Sequence, residues 1–351
     1  MTTKKKVLVA MSGGVDSAVA ALLLQLEGFE LSGATMSFRL KDHRFPSPEA
    51  IEDAQKICEK LNISHQVFDF SEEFTAAVIH PFISQYCKGR TPNPCIRCNQ
   101  YIKFGWLLER AQKMGFDYLA TGHYAQREEK NGAFFLKRAR DRKKDQTYFL
   151  YAVSRERLPF LLFPLGSRLK SEVRTIAQKY QLPLSQKPES QDICFISHTN
   201  YRTLIQEEVK APTSGPIVDL AGKVVGEHQG IFNYTIGQRK GLGLSSQKPL
   251  YILSIVPEKN QIVVGERKYL KARGLRASNL NWLLDVSFPL LVQAKVRYTQ
   301  KEERCRVTPN HSQSVEVIFD HPVEMITPGQ SVVFYQEDYL VGGGIIEEVI
   351  A

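Results

Sequence analysis

KVLVAMSGGVDS, at residues 6–17, joins a short apolar run to a glycine-rich loop. The run Lys6–Ala10 is typical of a buried strand, and residues 17–27 predict a helix that ends at Gly28. Adjacent glycines let the backbone bend sharply and approach a ligand, and the N–H groups at a helix start attract anions. The stretch therefore predicts a strand–loop–helix unit that binds phosphate groups.

The polar side chains of this loop have predicted tasks of their own. Ser12 and Ser17 add hydroxyl donors, and Asp16 is expected to orient the loop or to help hold magnesium. The Gly-Lys-Ser/Thr ending of the Walker loop is absent, so the loop is of a different kind. An ordinary strand-to-helix turn is the alternative interpretation.

Apolar and helical patterns alternate through the first half of the chain. Strands are predicted over residues 29–36, 67–70 and 118–121. Helices are predicted from Ser47-Pro48 to Leu61, over residues 74–86 and over residues 102–114, where Ser47 is the N-cap and Pro48 the first helical residue. Such alternation favours an α/β fold with a doubly wound parallel sheet.

The pattern changes near residue 200. Turn signals become frequent, and short β-rich runs lie between them, as at residues 250–256, 292–298 and 331–335. These runs predict small antiparallel barrels or sandwiches. We expect three domains: one that carries the glycine-rich loop over residues 1–199, a small central β-rich domain over 200–271, and a C-terminal β-barrel over 272–351.

Hydropathy argues against a membrane-spanning protein, and charge favours one that binds a polyanion. No apolar run approaches the roughly 18 residues that a membrane span needs, and the polar start indicates a cytoplasmic protein. The net charge is +9, and residues 223–306 hold fifteen Lys and Arg against six Asp and Glu. Localised positive charge favours a polyanionic partner such as nucleic acid. A basic face kept for solubility is the alternative.

Three of the six cysteines lie in polar, proline-rich or charged surroundings. Cys95 and Cys98 follow a stiff Thr-Pro-Asn-Pro segment, and Cys194 lies about a hundred residues further on. The positive residues Arg90, Arg97 and Lys103 flank the first two. Nearby positive charge lowers the pKa of a thiol, so we expect reactive thiolates here.

The string Ser12–Ser17 resembles the PP-loop of ATP pyrophosphatases, which leave AMP on an oxygen of their substrate. Further motifs extend the similarity over nearly the whole chain, which resembles the tRNA-specific 2-thiouridylases, the MnmA family. The motifs are Thr91–Pro94, Thr121–Tyr124, Lys144–Gln146, Asp192–Phe195, Gly226–Gly230, Gly237–Gly243, Thr327–Gln330 and Gly342–Gly344.

The resemblance implies a role for individual residues. The expected ATP contacts are Ala10, Met11, Ser12, Gly13, Gly14, Val15, Asp16, Ser17, Met36 and Gly122. The residues expected to face the target uridine are Asn93, Pro94 and Cys95. The expected tRNA contacts are His123, Lys144, Asp145, Gln146, Arg297, Tyr298 and Gln330. Cys194 would carry a persulfide, and Cys98 would complete catalysis.

Position 95 departs from the family pattern, since many members have aspartate there. The thiol of Cys95 therefore cannot fill a carboxylate role at this position. Cys95, Cys98 and Cys194 could instead hold an iron–sulfur cluster, or with Cys87 a four-thiolate metal site. Inert structural thiols are a third alternative.

The implied reaction is the 2-thiolation of the wobble uridine of tRNA by a tRNA-uridine 2-sulfurtransferase that uses ATP and magnesium. AMP is transferred to the uridine 2-oxygen, sulfur comes from the persulfide, and a Cys98–Cys194 disulfide remains. A separate protein would supply the sulfur. Two rivals remain: another PP-loop adenylating ligase, which leaves the cysteines unexplained, and a non-enzymatic RNA-binding module, which leaves the ATP loop unused.

Overall fold

The computed structural model describes residues 4–40, 43–183, 193–196, 201–208, 213–311 and 313–350. The chain forms two compact units. The first unit comprises Met1–Val78, Cys95–Ser197 and Glu337–Val341, and the second comprises Ile79–Pro94, His198–Gln336 and Gly342–Ala351. No helix in the described ranges is long and apolar enough to cross a membrane.

Eight α-helices are found in the described residues: α1 Val15–Leu26, α2 Pro48–Lys60, α3 Ser71–Phe74, α4 His80–Cys87, α5 Pro94–Arg97, α6 Leu108–Lys113, α7 Lys170–Lys179 and α8 Tyr201–Glu208. Two π-helical segments, Thr75–Ile79 and Cys98–Leu107, connect α3 to α4 and α5 to α6. The strands of the first half are β1 Lys6–Ala10, β2 Glu30–Leu40, β3 His43–Phe45, β4 Ser64–Asp69, β5 Tyr118–Ala120, β6 Ala125–Lys130, β7 Ala133–Arg138 and β8 Leu161–Leu162. Those of the second half are β9 Gly215–Val218, β10 Val224–His228, β11 Tyr251–Val256, β12 Gln261–Gly265, β13 Lys271–Trp282, β14 Leu290–Lys295, β15 Glu303–Asn310, β16 Ser314–Glu324, β17 Ser331–Gln336 and β18 Tyr339–Ile350.

A parallel sheet forms the centre of the first unit. Its strands lie in the order β4-β2-β1-β5-β8, with β3 antiparallel to the end of β2. Val7, Leu8 and Val9 of β1 are completely buried, as expected for a central strand covered on both faces. The chain begins at β1, runs outward through β2 and β4, and returns to the other side of β1 at β5. The predicted doubly wound fold is confirmed.

Local sequence determines where α2 begins. Ser47 is its N-cap, since the Ser47 Oγ accepts a bond from Ala50 N at 3.4 Å and Pro48 is the first helical residue. The helix predicted over residues 102–114 differs from the observed one. Helical structure begins earlier, at Pro94, and ten of its residues, Cys98–Leu107, are π-helical.

A hydrogen bond from a distant side chain and a glycine both favour the π-helical geometry of Cys98–Leu107. The Gln100 carbonyl accepts a bond from the Arg157 guanidinium at 3.2 Å. A Cβ at Gly105 would lie 3.1 Å from the same oxygen, so glycine leaves room for it. The Arg157 guanidinium also forms an ion pair with the Glu109 carboxylate of α6, with an N–O distance of 3.1 Å. Because Arg157 lies far along the chain, local sequence gives no signal of this geometry.

The second unit is built from β-strands and short helices. Its smaller sheet has the order β10-β9-β12-β11, in which β9 and β12 are parallel. Its larger sheet, β13-β16-β15-β14-β17-β18, closes into a six-stranded barrel because β13 also pairs with β18. The predicted central β-rich part and C-terminal barrel are confirmed as fold types. The hairpin β6–β7 of the first unit was not predicted, because the sequence of β6 is mostly polar.

A comparison of Gly13 with Gly28 distinguishes the cost of backbone strain from the cost of steric crowding. Gly13 and Gly28 both have positive φ, at 69° and 89°. A Cβ at Gly13 would lie 2.3 Å from the Ala50 carbonyl oxygen, whereas one at Gly28 would meet nothing within 4 Å. We expect Gly28→Ala to lower the free energy of unfolding by about 1–2 kcal/mol, the strain alone, and Gly13→Ala to lower it further. Urea unfolding measures both, and equal losses would contradict the crowding.

Candidate active site

The glycine-rich loop leads from the end of β1 into α1. Gly13 has a φ of 69°, which favours glycine, and Gly14 is the N-cap of α1 without any side chain that caps the helix. Ser17 Oγ accepts a bond from Ser12 N at 3.2 Å and donates one to the Gly14 carbonyl at 3.0 Å. These bonds close the loop and present the first N–H groups of α1 as an anion site.

The loop lies where the strand order of the sheet reverses. β1 has β2 on one side and β5 on the other, and ligands of open α/β sheets bind at such a point, outside the carboxyl ends of the strands. Gly122 follows β5 there. A Cβ at Gly122 would lie 2.9 Å from Asp16 C and Ser17 N, so the loops after β1 and β5 touch.

The other predicted ATP contacts lie at the same edge of the sheet. Ala10 ends β1 and pairs with Ala34 of β2, and half-buried Met36 lies two residues beyond that pair. Met11 is buried, and its N–H donates to the Ala34 carbonyl at 2.8 Å. Val15 is the first residue of α1. The sequence-predicted residues therefore come together around one loop.

Asp16 has partners that the sequence analysis missed. Both of its carboxylate oxygens accept bonds from Lys170 Nζ at 2.8 Å, and Oδ1 accepts one from the Tyr124 hydroxyl at 2.9 Å. Lys170 is the first residue of α7, and its side chain is only 12% exposed. This arrangement supports the orienting role expected of Asp16. A signal for Lys170 would have required the tertiary fold.

The cysteine site is formed by Cys95, Cys98 and Cys194, all of which belong to the first unit. Cys95 lies in α5, Cys98 begins the π-helical segment, and Cys194 is the second residue of a short described stretch. The three thiols lie close enough for the charge of Cys98 or Cys95 to raise the pKa of Cys194. Residue 192 of the predicted motif Asp192–Phe195 lies outside the described residues.

Burial changes the expected reactivity of these thiols. Burial, followed by the charge of neighbouring thiols, raises the pKa of half-buried Cys95 to about 11. The same two effects raise the pKa of Cys194, although its side chain is in contact with solvent. Burial also raises the pKa of Cys98. The expectation of lowered thiol pKa values was wrong, because the loss of hydration outweighs the flanking positive charge.

Of the three flanking cations, only Lys103 lowers the pKa of all three thiols. Arg90 is bound to the Glu347 carboxylate at 2.6 Å and to the Ile346 carbonyl. Arg97 Nε donates to the Ala77 carbonyl at 2.6 Å, and its guanidinium lies over the Tyr101 ring. Both arginines thus have structural partners of their own.

His123 lies beside the same lysine. Its Nδ1 is 2.8 Å from Thr121 Oγ1, and its ring contacts those of Phe104 and Phe163, with centroids 5.7 and 6.3 Å away. Burial, with the Lys103 charge, holds the pKa of His123 well below its usual range. The imidazole is therefore neutral at physiological pH.

The predicted tRNA contacts at residues 144–146 lie in a loop that packs against Tyr124. Lys144 is half-buried. Asp145 is buried and accepts bonds from Ala139 N at 2.8 Å and Thr147 Oγ1 at 2.7 Å, while Gln146 Oε1 accepts one from Tyr124 N at 2.8 Å. Asp145 and Gln146 therefore hold this loop in place. Their contact with tRNA stays a prediction.

The remaining predicted contacts lie in the second unit or at its edge. Arg297 donates to Thr327 Oγ1 and to the Ile236 carbonyl, and Gln330 Nε2 donates to the Thr91 carbonyl at 2.8 Å. Tyr298 is half-buried, with the Lys295 ammonium over its ring. Asn93 is half-buried and Pro94 is the first residue of α5. Arg297 and Gln330 thus stabilise the fold of the second unit. Their contact with tRNA stays a prediction.

A metal site is not evident in the part of the chain that the structure describes. No group of three or more His, Cys, Asp or Glu side chains there is arranged to hold a metal ion. All six cysteines are described, and none forms a disulfide. The arrangement of the thiols therefore does not favour the iron–sulfur alternative.

Three family models match consecutive parts of the chain: the tRNA methyl transferase HUP domain over residues 5–198, the tRNA methyl transferase PRC-barrel domain over 202–266 and the aminomethyltransferase beta-barrel domain over 272–346. Curated relatives match end to end. A tRNA-specific 2-thiouridylase MnmA 1 of Syntrophus aciditrophicus is 48% identical over 99% of this chain and 94% of the relative. A protein of the same name from Caldanaerobacter subterraneus is 46% identical over 100% of both chains. With such identity over its whole length, the chain belongs to the tRNA-specific 2-thiouridylase (MnmA) family.

Proposed function

We propose that this protein is a tRNA-uridine 2-sulfurtransferase, which uses ATP to replace the 2-oxygen of the wobble uridine by sulfur. One observation carries the proposal. A nucleotide loop at the switch point of the sheet and a cluster of three cysteines belong to the same compact unit. The family relationship gives the substrate class. Mass spectrometry of nucleosides from tRNA incubated with enzyme, ATP and a persulfide source tests the activity, and tRNA without 2-thiouridine would refute it.

Adenylation activates the uridine. The 2-oxygen attacks the α-phosphorus of ATP, pyrophosphate leaves, and AMP remains on that oxygen, which is otherwise a very poor leaving group. The first N–H groups of α1 and the Ser12 hydroxyl stabilise the phosphate charge at the loop. Gly122 keeps the loop after β5 close to this point, and half-buried Met36 of β2 is proposed as a further contact of the nucleotide.

Sulfur transfer follows in two balanced steps. The terminal sulfur of a persulfide on Cys194 attacks C2 of the uridine, and AMP departs with the electron pair of the C–O bond. The Cys98 thiolate then attacks the Cys194 sulfur, and the electron pair of the broken S–S bond passes to the sulfur on C2, which becomes the thiocarbonyl. A Cys98–Cys194 disulfide remains, and a dithiol reductant must restore both thiols.

Magnesium is expected to arrive with the phosphates of ATP. Asp16 does not fit the role of a direct magnesium ligand in the observed arrangement, since Lys170 Nζ occupies both of its carboxylate oxygens at 2.8 Å. We therefore assign Asp16 to the orientation of the loop. No step of the reaction is assigned to a metal bound by the protein.

The partners follow from the chemistry. We propose that tRNA binds with the target base splayed towards Asn93, Pro94 and Cys95, because bases of a single-stranded loop can be turned outward at modest cost. A separate sulfur-donor protein would load Cys194. The cytoplasmic location and the domain boundaries near residues 199 and 271 stay predictions.

The two rival functions explain less of the molecule. Another adenylating ligase leaves the grouping of Cys95, Cys98 and Cys194 without a use, and an RNA-binding module leaves the nucleotide loop without one. Pyrophosphate release that depends on added tRNA distinguishes all three. A ligase would release it without tRNA, and a binding module would release none.

Serine variants test the sulfur relay. We expect Cys98→Ser and Cys194→Ser each to abolish 2-thiouridine formation and to retain tRNA-dependent pyrophosphate release, because adenylation needs neither sulfur. Cys87→Ser, at an exposed thiol, is the matched control and should keep both activities. Nucleoside mass spectrometry and a pyrophosphate assay provide the readouts. A Cys194→Ser enzyme that still thiolates tRNA would refute the relay.

Cys95→Ala distinguishes the relay from the cluster alternative, because alanine cannot bind iron. In enzyme purified anaerobically and shown to be free of iron, we expect this variant to keep thiolation activity. Iron analysis and visible absorbance accompany the assay. Iron-dependent activity that disappears together with the chromophore in Cys95→Ala would establish the cluster instead.

The basic second unit provides a salt-dependence test. Arg239 and Lys240 are exposed in a turn held by Gln238, whose Oε1 accepts from Thr235 N and whose Nε2 donates to the Lys240 carbonyl. If each neutralises one tRNA phosphate, replacing both by Ala should make the log–log salt slope shallower by about 1.4–1.8. Lys268→Ala, at an exposed residue paired with Glu266, is the control. An unchanged slope in the double variant would show that this charge does not contact tRNA.

A further inference from the structure

Lys103 is a half-buried cation in the cysteine site. Its position in the π-helical segment places it five residues after Cys98. Among the described residues, no carboxylate lies within ion-pair distance of its ammonium group. A partly buried lysine without a counter-ion is uncommon in a folded protein. Its charge is therefore available to an anion that forms next to it.

The π-helical geometry determines which side chain this cation faces. In an α-helix, five residues turn the chain by about 500°, which leaves two side chains about 140° apart. In a π-helix, the N–H of residue i+5 bonds to the carbonyl of residue i, so Lys103 follows Cys98 by one turn on the same side. The backbone of the segment thus places Lys103 and Cys98 on the same face of the helix, one turn apart.

The neighbouring residues hold that turn in place. Phe104 is completely buried and contacts the ring of His123 at 5.7 Å. On another side of the segment, the Arg157 guanidinium holds the Gln100 carbonyl at 3.2 Å, and Gly105 leaves space for it. These contacts fix the backbone on both sides of Lys103, so the position of its Cα does not depend on a bound ligand.

We propose that Lys103 is a positioning residue for sulfur transfer, whose ammonium group stabilises the anionic sulfur of Cys98 and of the persulfide on Cys194. The inference rests on the proposed function, since it concerns the same reaction. Lys103 stays protonated throughout, and the thiol proton passes to solvent. Among the residues that the structure describes, the charged or titratable groups that act on Cys194 are Cys98, Cys95 and Lys103. Lys103 also acts on Cys98 and on His123.

The positive charge of Lys103 counteracts the effect of burial on the pKa values of the thiols. Burial raises the pKa of half-buried Cys95 and Cys98, and Lys103 is the cation that opposes this effect at both thiols. Lys103 also lowers the pKa of Cys194, whose side chain is exposed. An opposite charge within hydrogen-bonding or near-contact distance shifts a pKa by about one unit or more. Without it, the attacking sulfur of Cys98 would be protonated in a still larger fraction of the molecules.

The test compares Lys103→Met with Lys103→Arg in the full-length protein. The probe is iodoacetamide, and peptide mass spectrometry follows alkylation of Cys98 and Cys194 separately at several pH values. At a fixed pH below the thiol pKa, we expect Lys103→Met to be alkylated about tenfold more slowly, as for a shift of one pKa unit. Lys103→Arg should retain most of the wild-type rate. Lys113→Met, in α6 of the same helical run, should match the wild type.

Activity assays distinguish a failure of the Lys103 role from a failure of the proposed tRNA thiolation activity. We expect Lys103→Met to release pyrophosphate with tRNA at the wild-type rate, and its thiolation rate should shift to higher pH. Unchanged alkylation rates in Lys103→Met would overturn the role of Lys103 even if the wild-type enzyme thiolates tRNA. If the wild type does not thiolate tRNA, the proposed function fails instead. Circular dichroism checks folding, and Lys103→Gln replaces the Met variant if that variant does not fold.

Discussion

The close approach of two backbone loops is the constraint on which the catalytic unit depends. A side chain at residue 122 would collide with the first turn of α1, so the chain after β5 runs directly against the chain after β1. Both loops emerge from neighbouring strands in the centre of a buried sheet. Their contact is therefore held by the core, and the phosphate site is preorganised before any nucleotide binds.

Two opposing effects meet at the cysteines. Removing a thiol from water favours its protonated form, whereas a nearby cation favours the thiolate. At half-buried Cys95 and Cys98 the effect of burial dominates, so these resting thiols are largely protonated at neutral pH. The Lys103 charge reduces this suppression without removing it.

Local patterns predicted much of this molecule. The apolar run before the glycines, the Ser47-Pro48 start of α2 and the alternation of elements all reflect short-range physics, so the parallel sheet and its loop could be predicted. Lys170 and the π-helical segment could not, because each depends on a residue distant in sequence: Asp16 in the first case, Arg157 in the second. The thiol pKa values were predicted wrongly, since charge can be counted in a sequence and burial cannot.

The ion pair between Asp16 and Lys170 has a consequence for selectivity. The pair leaves little net charge next to the phosphate loop, although the loop itself favours anions through its N–H groups. An anion that binds the Lys170 ammonium group has to compete with the Asp16 carboxylate, which already lies 2.8 Å from it. A polyphosphate carries enough charge for that exchange, whereas a singly charged ion gains little from it. We therefore expect the site to bind polyphosphates in preference to singly charged anions.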